Sequence, residues 1–452
     1  MNQGLTIVPP PVVGEALRRL EARGFRAWCV GGCVRDSLLG KAPSDWDIAT
    51  SALPQETKAC FAGERLVEAG AAHGTIAWVP SGDHPIEITT FRSDGAYTDG
   101  RHPDSVAFSR RLEDDLSRRD FTVNAMAWHP QRGLVDLFHG QEDLSAGLLR
   151  CVGEPARRFS EDALRILRCL RFSSQLGFAI HPDTARALWE KRELLLALSH
   201  ERVREELTKL LCGQRAAAVL RQYAAVVFTV LPELAPMKGC AQETPYHCFD
   251  VWEHTLHAVD YAPQQGDLRW AALLHDAGKP GRKTRSADGV AHFYGHPPES
   301  GRIARQLLTR LRFSNKERNW IAALVDHHED AMPMGEAHLK GLLGRYGERF
   351  VFTLFQLQEA DMSAKAPGVF ARRLPDLEES RALARAILER GDCLTLGDMA
   401  LTGEDLKALG VAPGPEMGKL LRRLLEAVQR GEAANTPAAL GELAKRLLKR
   451  GL

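Results

Sequence analysis

Cysteine pairs are missing. Nine cysteines in 452 residues form no C-x-x-C and leave an odd number. That argues against a disulfide framework or a cysteine-built zinc site and predicts reduced thiols. No apolar run approaches the roughly 18 residues that span a bilayer, so no membrane segment is expected. Charge of one sign is lacking too: net charge is +1, so any contact with nucleic acid must use local basic patches. The start, MNQGLTIVPPP, lacks the charged residues and apolar stretch of a secretion signal, and a cytoplasmic protein is expected. There is no heptad, solenoid period or low-complexity tract. What remains is 44% hydrophobic and 26% charged, a globular composition long enough for two to four domains.

Periodicity divides the chain. Residues 12–24 read as an amphipathic helix ended by Gly24. The β-like runs FRAWCV, SDWDIAT, GTIAWV, PIEITTF and VAF follow, giving α/β character to about residue 150. Residues 92–105, with turn formers and a proline, read as an exposed loop. From Glu161 onward helical periods dominate: 161–176, 183–198, 200–212, 251–261, 267–276, 299–312 and 315–328. Residues 231–247 read as a proline-bearing joint, and 410–418 as a second one.

The first chemical signal is Gly31-Gly32-Cys33-Val34-Arg35-Asp36, followed by Asp45-Trp46-Asp47. Glycines allow close backbone approach to a triphosphate. On a strand, positions i and i+2 share a face, so Asp45 and Asp47 can grip the same cations. Two divalent ions about 3.5–4 Å apart activate an attacking hydroxyl and stabilise departing pyrophosphate. The pattern points to nucleotidyl transfer. Glu87, in the strand-like IEITTF, is a candidate third carboxylate. Arg118-Arg119-Asp120, Asn124 and the charged helix EDALRILRCLRF (161–172) follow. Arginine suits phosphate because its planar fork donates bidentately.

On a continuous helix, Asp162 and Arg165 lie about 60° apart and share a face. A carboxylate accepting from an exocyclic amino group, beside a guanidinium donating to a ring nitrogen, fits cytosine and adenine and rejects uracil and guanine. Arg171, about 180° round from Asp162, is expected to meet phosphate or to brace the site through Glu161 or another acid.

GGCVRD, DWD, RRDFTVNAMA and EDALRILR, in that order and spacing, resemble the bacterial class II tRNA nucleotidyltransferases, the CCA-adding enzymes, and the related poly(A) polymerases. The resemblance implies that Gly32 and Arg35 contact nucleotide, that Asp45 and Asp47 are catalytic and hold Mg2+, and that Arg119 meets the triphosphate. It places Asp162, Arg165, Arg168 and Arg171 on the nucleotide-binding helix. The loop at 92–105 is associated by the same resemblance with the final adenylate.

A second constellation occupies 246–362: His254, His275-Asp276, His296, His327-His328 and Asp361. Imidazoles and carboxylates from several helices can hold divalent metal inside a bundle. The pattern resembles the HD phosphohydrolases. That resemblance makes His254, His275, Asp276 and Asp361 primary ligands, with His296 and His328 completing a second metal and Lys279 meeting phosphate. A transition metal (Mn, Ni, Fe or Co) is expected there. His257, His292 and His327 are read as ordinary core or surface histidines. The end of the chain is basic at Lys419, Arg422, Arg423, Lys445, Arg446, Lys449 and Arg450, which fits an RNA backbone.

The expected fold is α+β: a mixed-sheet nucleotidyltransferase head at 1–150, a helical neck and body at 151–245, an HD domain at 246–370 and a helical tail at 371–452. The expected activity is addition of the 3′-terminal CCA to tRNA from CTP and ATP, with tRNA as partner and no protein partner inferable. The alternatives are a poly(A) polymerase, a CC-only or A-only enzyme, an HD phosphohydrolase whose head merely binds nucleotide, and a non-catalytic RNA-binding protein.

Overall fold

The computed structural model describes residues 7–82, 84–94 and 106–450. It divides into two units, Met1–Pro232 and Glu233–Leu452. The division falls at the start of the expected proline-bearing joint.

In the first unit, α1 (Pro11–Glu21) leads into β1 (Ala27–Val30), α2 (Gly32–Leu38), β2 (Asp47–Thr50), α3 (Pro54–Cys60), β3 (Leu66–Val67), β4 (Thr75–Trp78) and β5 (Ile86–Thr90). Next come β6 (Arg92–Asp94), β7 (Val106–Phe108), α4 (Leu112–Ser117), β8 (Met126–His129), β9 (Gly133–Asp136) and α5 (Gly140–Ser145). Seven strands form one mixed sheet in the order β3-β4-β5-β2-β1-β8-β9. Only β2 and β5 run parallel within it, and their register sets Asp47 beside Glu87. Trp28, Val30, Ala49 and Ala127 of the sheet pack with Phe91, Leu112 and Leu116. β6 and β7 pair with each other. Residues 95–105, the rest of the expected loop, lie outside the described residues.

The unit continues as α6 (Pro155–Glu161), α7 (Leu164–Leu176), α8 (Pro182–Glu190), α9 (His200–Leu211), α10 (Ala216–Gln222) and α11 (Ala224–Val230). The helix expected over 161–176 is therefore broken. Asp162 is extended, with φ −142° and ψ 104°, and its carboxylate accepts the Leu164 N–H at 3.0 Å. A short acidic side chain that satisfies a free amide at a helix start competes with helix continuation.

The second unit is helical: α12 (Val251–Tyr261), α13 (Gly266–Leu274), α14 (Lys279–Arg282), α15 (His296–Arg310), α16 (Asn315–His327), α17 (Glu336–Tyr346), α18 (Glu348–Ser363), α19 (Val369–Glu389), α20 (Gly403–Ala408), α21 (Pro415–Gln429) and α22 (Pro437–Lys449). Trp252, Trp270, Phe350 and Phe355 are fully buried in it. The last three helices close a smaller core on Leu406, Leu420, Leu424 and Leu440.

Helices α7 and α9 pack closely because Gly213 follows α9. A Cβ there would lie 2.1 Å from the Ser174 hydroxyl oxygen and 2.7 Å from its carbonyl carbon. Backbone cannot yield cheaply in a close-packed interior. Gly213→Ala is expected to cost about 1–3 kcal/mol, read as a lowered thermal midpoint of the full chain. An unchanged midpoint would show that the α7–α9 contact is loose.

Candidate active site and candidate metal centre

Asp47 opens β2, and Glu87 faces it across the parallel register. Asp45 lies before the strand and is exposed, its carboxylate accepting the Ser44 hydroxyl at 3.0 Å. The strand expected to carry both aspartates thus begins at the second. Burial, then the Glu87 and Asp45 carboxylates, push the Asp47 carboxyl up to about 6, with Arg119 pulling the other way. Three carboxylates crowd one spot, an arrangement that a divalent cation relieves. All three line a cavity of about 960 Å³, with Gly32, Arg35, Arg119, Asp162, Arg165 and Arg168.

The cationic wall is built on buried acids. Asp115 has no exposure and accepts from both Arg118 and Arg119, at 2.6 and 3.0 Å. Arg35 donates to Asp36 and, through Nη1, to Asn124 at 2.7 Å. Asn124 Nδ2 donates to Asp120 Oδ1 at 3.1 Å, and Arg168 donates to Asp120 Oδ2 at 2.8 Å. Burial would raise the Asp120 carboxyl, but Arg168 and the Asn124 hydrogen bond hold it at about 2. Phe172 lies under Arg35, Arg168 and Arg171, 5.2, 5.3 and 4.1 Å from their guanidinium carbons, and contributes cation–π attraction. Gly31 has φ 79°, and a Cβ on it would come within 2.9 Å of Arg119 Nη1. The first glycine of the pair therefore keeps space for a guanidinium.

Asp162 and Arg165 both line the cavity, although the helix break separates them. Arg165 is committed within the protein, donating to Glu161 Oε2 at 2.9 Å and to the carbonyls of Arg158 and Arg118 at 3.2 and 2.9 Å. The direct guanidinium partner of Asp162 is Arg202 of α9, whose Nη2 lies 3.3 and 3.2 Å from the two carboxylate oxygens. Arg202 Nη1 is buried without a hydrogen-bond partner. Sequence reasoning missed Arg202. Its only signal was the i, i+4 spacing to Glu206, which ordinarily marks a solvated ion pair. Glu206 is instead buried and accepts from Arg171 at 3.1 Å. Arg171 takes the bracing place and is not among the residues lining the cavity.

In the second unit, His254, His275 and Asp361 form one buried group, and Asp276, His296 and His328 another. His254 Nε2 is 2.9 Å from Asp361 and 3.3 Å from His275 Nε2. His296 Nε2 is 3.3 Å from His328 Nε2 and 3.2 Å from Asp276. Asp276 touches both groups, since its other oxygen lies 3.4 Å from His254 and 3.3 Å from His275. Each Nδ1 faces a backbone carbonyl: Ala364, Ala272, Phe293 and Val325, at 3.1, 2.8, 3.0 and 2.7 Å. That places the proton on Nδ1 and turns the Nε2 lone pair inward, the outer-sphere arrangement of metal-ligating histidine. Neither Asp276 oxygen has an aligned hydrogen-bond donor. Lys279 is buried against Asp276 at 2.7 Å and Gln242 at 2.9 Å.

Three family models match: the Poly A polymerase head domain over residues 27–150, the "Probable RNA and SrmB-binding site of polymerase A" over 177–237, and tRNA nucleotidyltransferase domain 2 over 299–444. A CCA-adding enzyme of Lactobacillus delbrueckii subsp. bulgaricus is 34% identical over 94% of this chain and 95% of its own. One from Limosilactobacillus fermentum is 36% identical over 96% of each. The chain belongs to the CCA-adding enzyme family. The crystal structure of the Bacillus stearothermophilus CCA-adding enzyme in complex with CTP superposes with a TM-score of 0.73 at 30% identity, covering 98% of this chain and 100% of that one. The family's mixed-sheet head and helical remainder are both present here.

The Asp120 pairing gives this family member a defined pH signature. A carboxyl whose folded pKa is depressed stabilises the protein above its unfolded value, near 4, and loses that contribution as pH falls through about 2. Wild type should exceed Asp120→Asn by about 2 kcal/mol at pH 7. The gap should close between pH 4 and 2. A gap constant from pH 7 to pH 2 would contradict the pairing.

Proposed function

We propose that this chain adds the 3′-terminal CCA to tRNA from CTP and ATP, with release of pyrophosphate. The observation that carries the reading is one cavity holding the Asp45–Asp47–Glu87 carboxylates, an arginine wall, and Asp162 with Arg165. Its oxygen-only donor set fits magnesium, which prefers carboxylates. Magnesium bound there supplies activation of the attacking 3′-hydroxyl and charge neutralisation on the departing pyrophosphate. Arg35 and Arg119, fixed by Asn124 and Asp115, orient the triphosphate. Asp162 and Arg165 read the base edge, the guanidinium of Arg165 exchanging its internal contacts for the ring nitrogen. A complex of a relative with CTP and the CCA-adding relatives spanning nearly the whole chain favour this over a poly(A) polymerase or a non-catalytic RNA binder. The neck, body and basic tail serve as tRNA contacts. Among the described residues no helix is long and apolar enough to cross a membrane, and the cytoplasm is the proposed site of action.

The buried His/Asp groups of the second unit fit a pair of borderline transition metals, Mn, Ni, Fe or Co, by donor type. Such metals supply an activated water for phosphoester hydrolysis. Asp276 would be shared between them, and Lys279 holds that carboxylate in place. This is the HD reading of residues 246–370.

The protein, given tRNA lacking CCA and each NTP singly and in pairs, should incorporate C and A, refuse U and G, and halt after three residues. A long adenylate tail from ATP alone would move the assignment to poly(A) polymerase. Asp45→Ala should abolish addition and leave transition metal bound. His275→Ala combined with Asp276→Ala should do the reverse, and loss of addition in that folded double variant would contradict separable sites.

A further inference from the structure

A third group of ligating side chains lies outside both sites. His327 ends α16, Asp330 follows in the loop, and His338 sits in the first turns of α17. His327 Nδ1 is 2.8 Å and His338 Nε2 2.7 Å from the same Asp330 oxygen, Oδ2. Both imidazole nitrogens thus meet one carboxylate oxygen, and the three ligand atoms lie within 4.8 Å of one another.

The surroundings hold that group in place. The Asp330 amide donates to the His327 carbonyl at 3.0 Å, and the Asp330 carbonyl accepts from Gln358 at 3.3 Å. The His327 ring packs edge-on against Tyr346 and Phe350, with centroids 5.6 and 6.1 Å away. Both imidazoles line a cavity of about 800 Å³, which provides an entry path. The side chains are 23%, 21% and 46% exposed, in the order His327, Asp330, His338, so they are neither sealed nor freely solvated.

We propose that His327, Asp330 and His338 bind one divalent transition-metal ion, separate from the two buried His/Asp groups. Two nitrogens and one carboxylate oxygen suit zinc, cobalt or nickel and disfavour magnesium. Three protein ligands leave a fourth position for water. With metal–ligand distances near 2.1 Å, tetrahedral ligand atoms lie about 3.4 Å apart. The two nitrogen–oxygen spacings, 2.8 and 2.7 Å, need to open by about 0.6–0.7 Å to reach that value. The ion would tie the end of α16 to the start of α17. His327 is then a ligand, not the ordinary histidine its place in the sequence suggested.

The site stands or falls apart from the buried groups, because its test is a difference in stoichiometry. Full-length protein is stripped with chelator, returned to excess magnesium, and titrated with Co2+ while the visible absorption of tetrahedral cobalt is followed. Wild type should bind one equivalent more than His338→Ala and one more than Asp330→Asn. His338→Cys should restore that equivalent and add a thiolate charge-transfer band. Equal stoichiometry in wild type, His338→Ala and Asp330→Asn would overturn the proposal and leave a hydrogen-bonded triad. Far-UV circular dichroism establishes that each variant is folded, and should Asp330→Asn unfold, His338→Ala decides.

Discussion

A carboxylate buried from water must be paired, and in the head the pairing of Asp120 sets the rest. Its two oxygens take the Phe121 amide, the Asn124 side chain and Arg168. Through Asn124 the same carboxylate fixes Arg35. Removing one partner of such a network leaves the charge of the other uncompensated. The fold is therefore held to the geometry that presents arginines to the cavity. Asp115 does the same for Arg118 and Arg119, and Glu206 for Arg171.

The carboxylates in the same cavity are less evenly balanced. Burial, then repulsion from Glu87 and Asp45, raises Asp47, and Arg119 offsets this only in part. The arginines of the cavity are neutralised from within and, on the proposed reading, meet phosphate with their surplus donors. The carboxylate cluster is a charge deficit that calls for metal. The buried histidines of the second unit repeat this logic with nitrogen: backbone carbonyls hold every Nδ1 and leave the Nε2 atoms facing one another.

The sheet and its cargo were legible because they rest on local rules. A glycine pair before an arginine, alternating strand residues and Asp-x-Asp each have a short-range reason. Even Glu87 was legible as a possible neighbour of the aspartates, and the register supplies its place. The helix break at Asp162 was not legible, since Glu-Asp-Ala-Leu suits a helix and only the capping of Leu164 decides against it. Arg202 and Glu206 were not legible either, because periodicity does not say what packs on α9. The close approach at Gly213 that brings α7 there depends on a residue with no pattern of its own. Among the histidines, the inward-facing set was legible through its resemblance to the HD phosphohydrolases. His327 was not, because its partners come from a loop and the next helix.

On the proposed reading the protein itself is the template for base choice, through Asp162, steadied by Arg202 and the start of α7, and Arg165, which lines the same cavity. Single-turnover addition of each of the four nucleotides to tRNA lacking its CCA end, by wild type and Asp162→Ala, tests that directly. Losing one partner of a desolvated polar contact should reduce discrimination against UTP by roughly ten- to a hundredfold, with triphosphate affinity largely kept. An equal loss toward all four nucleotides, with the preference for C and A unchanged, would contradict the account.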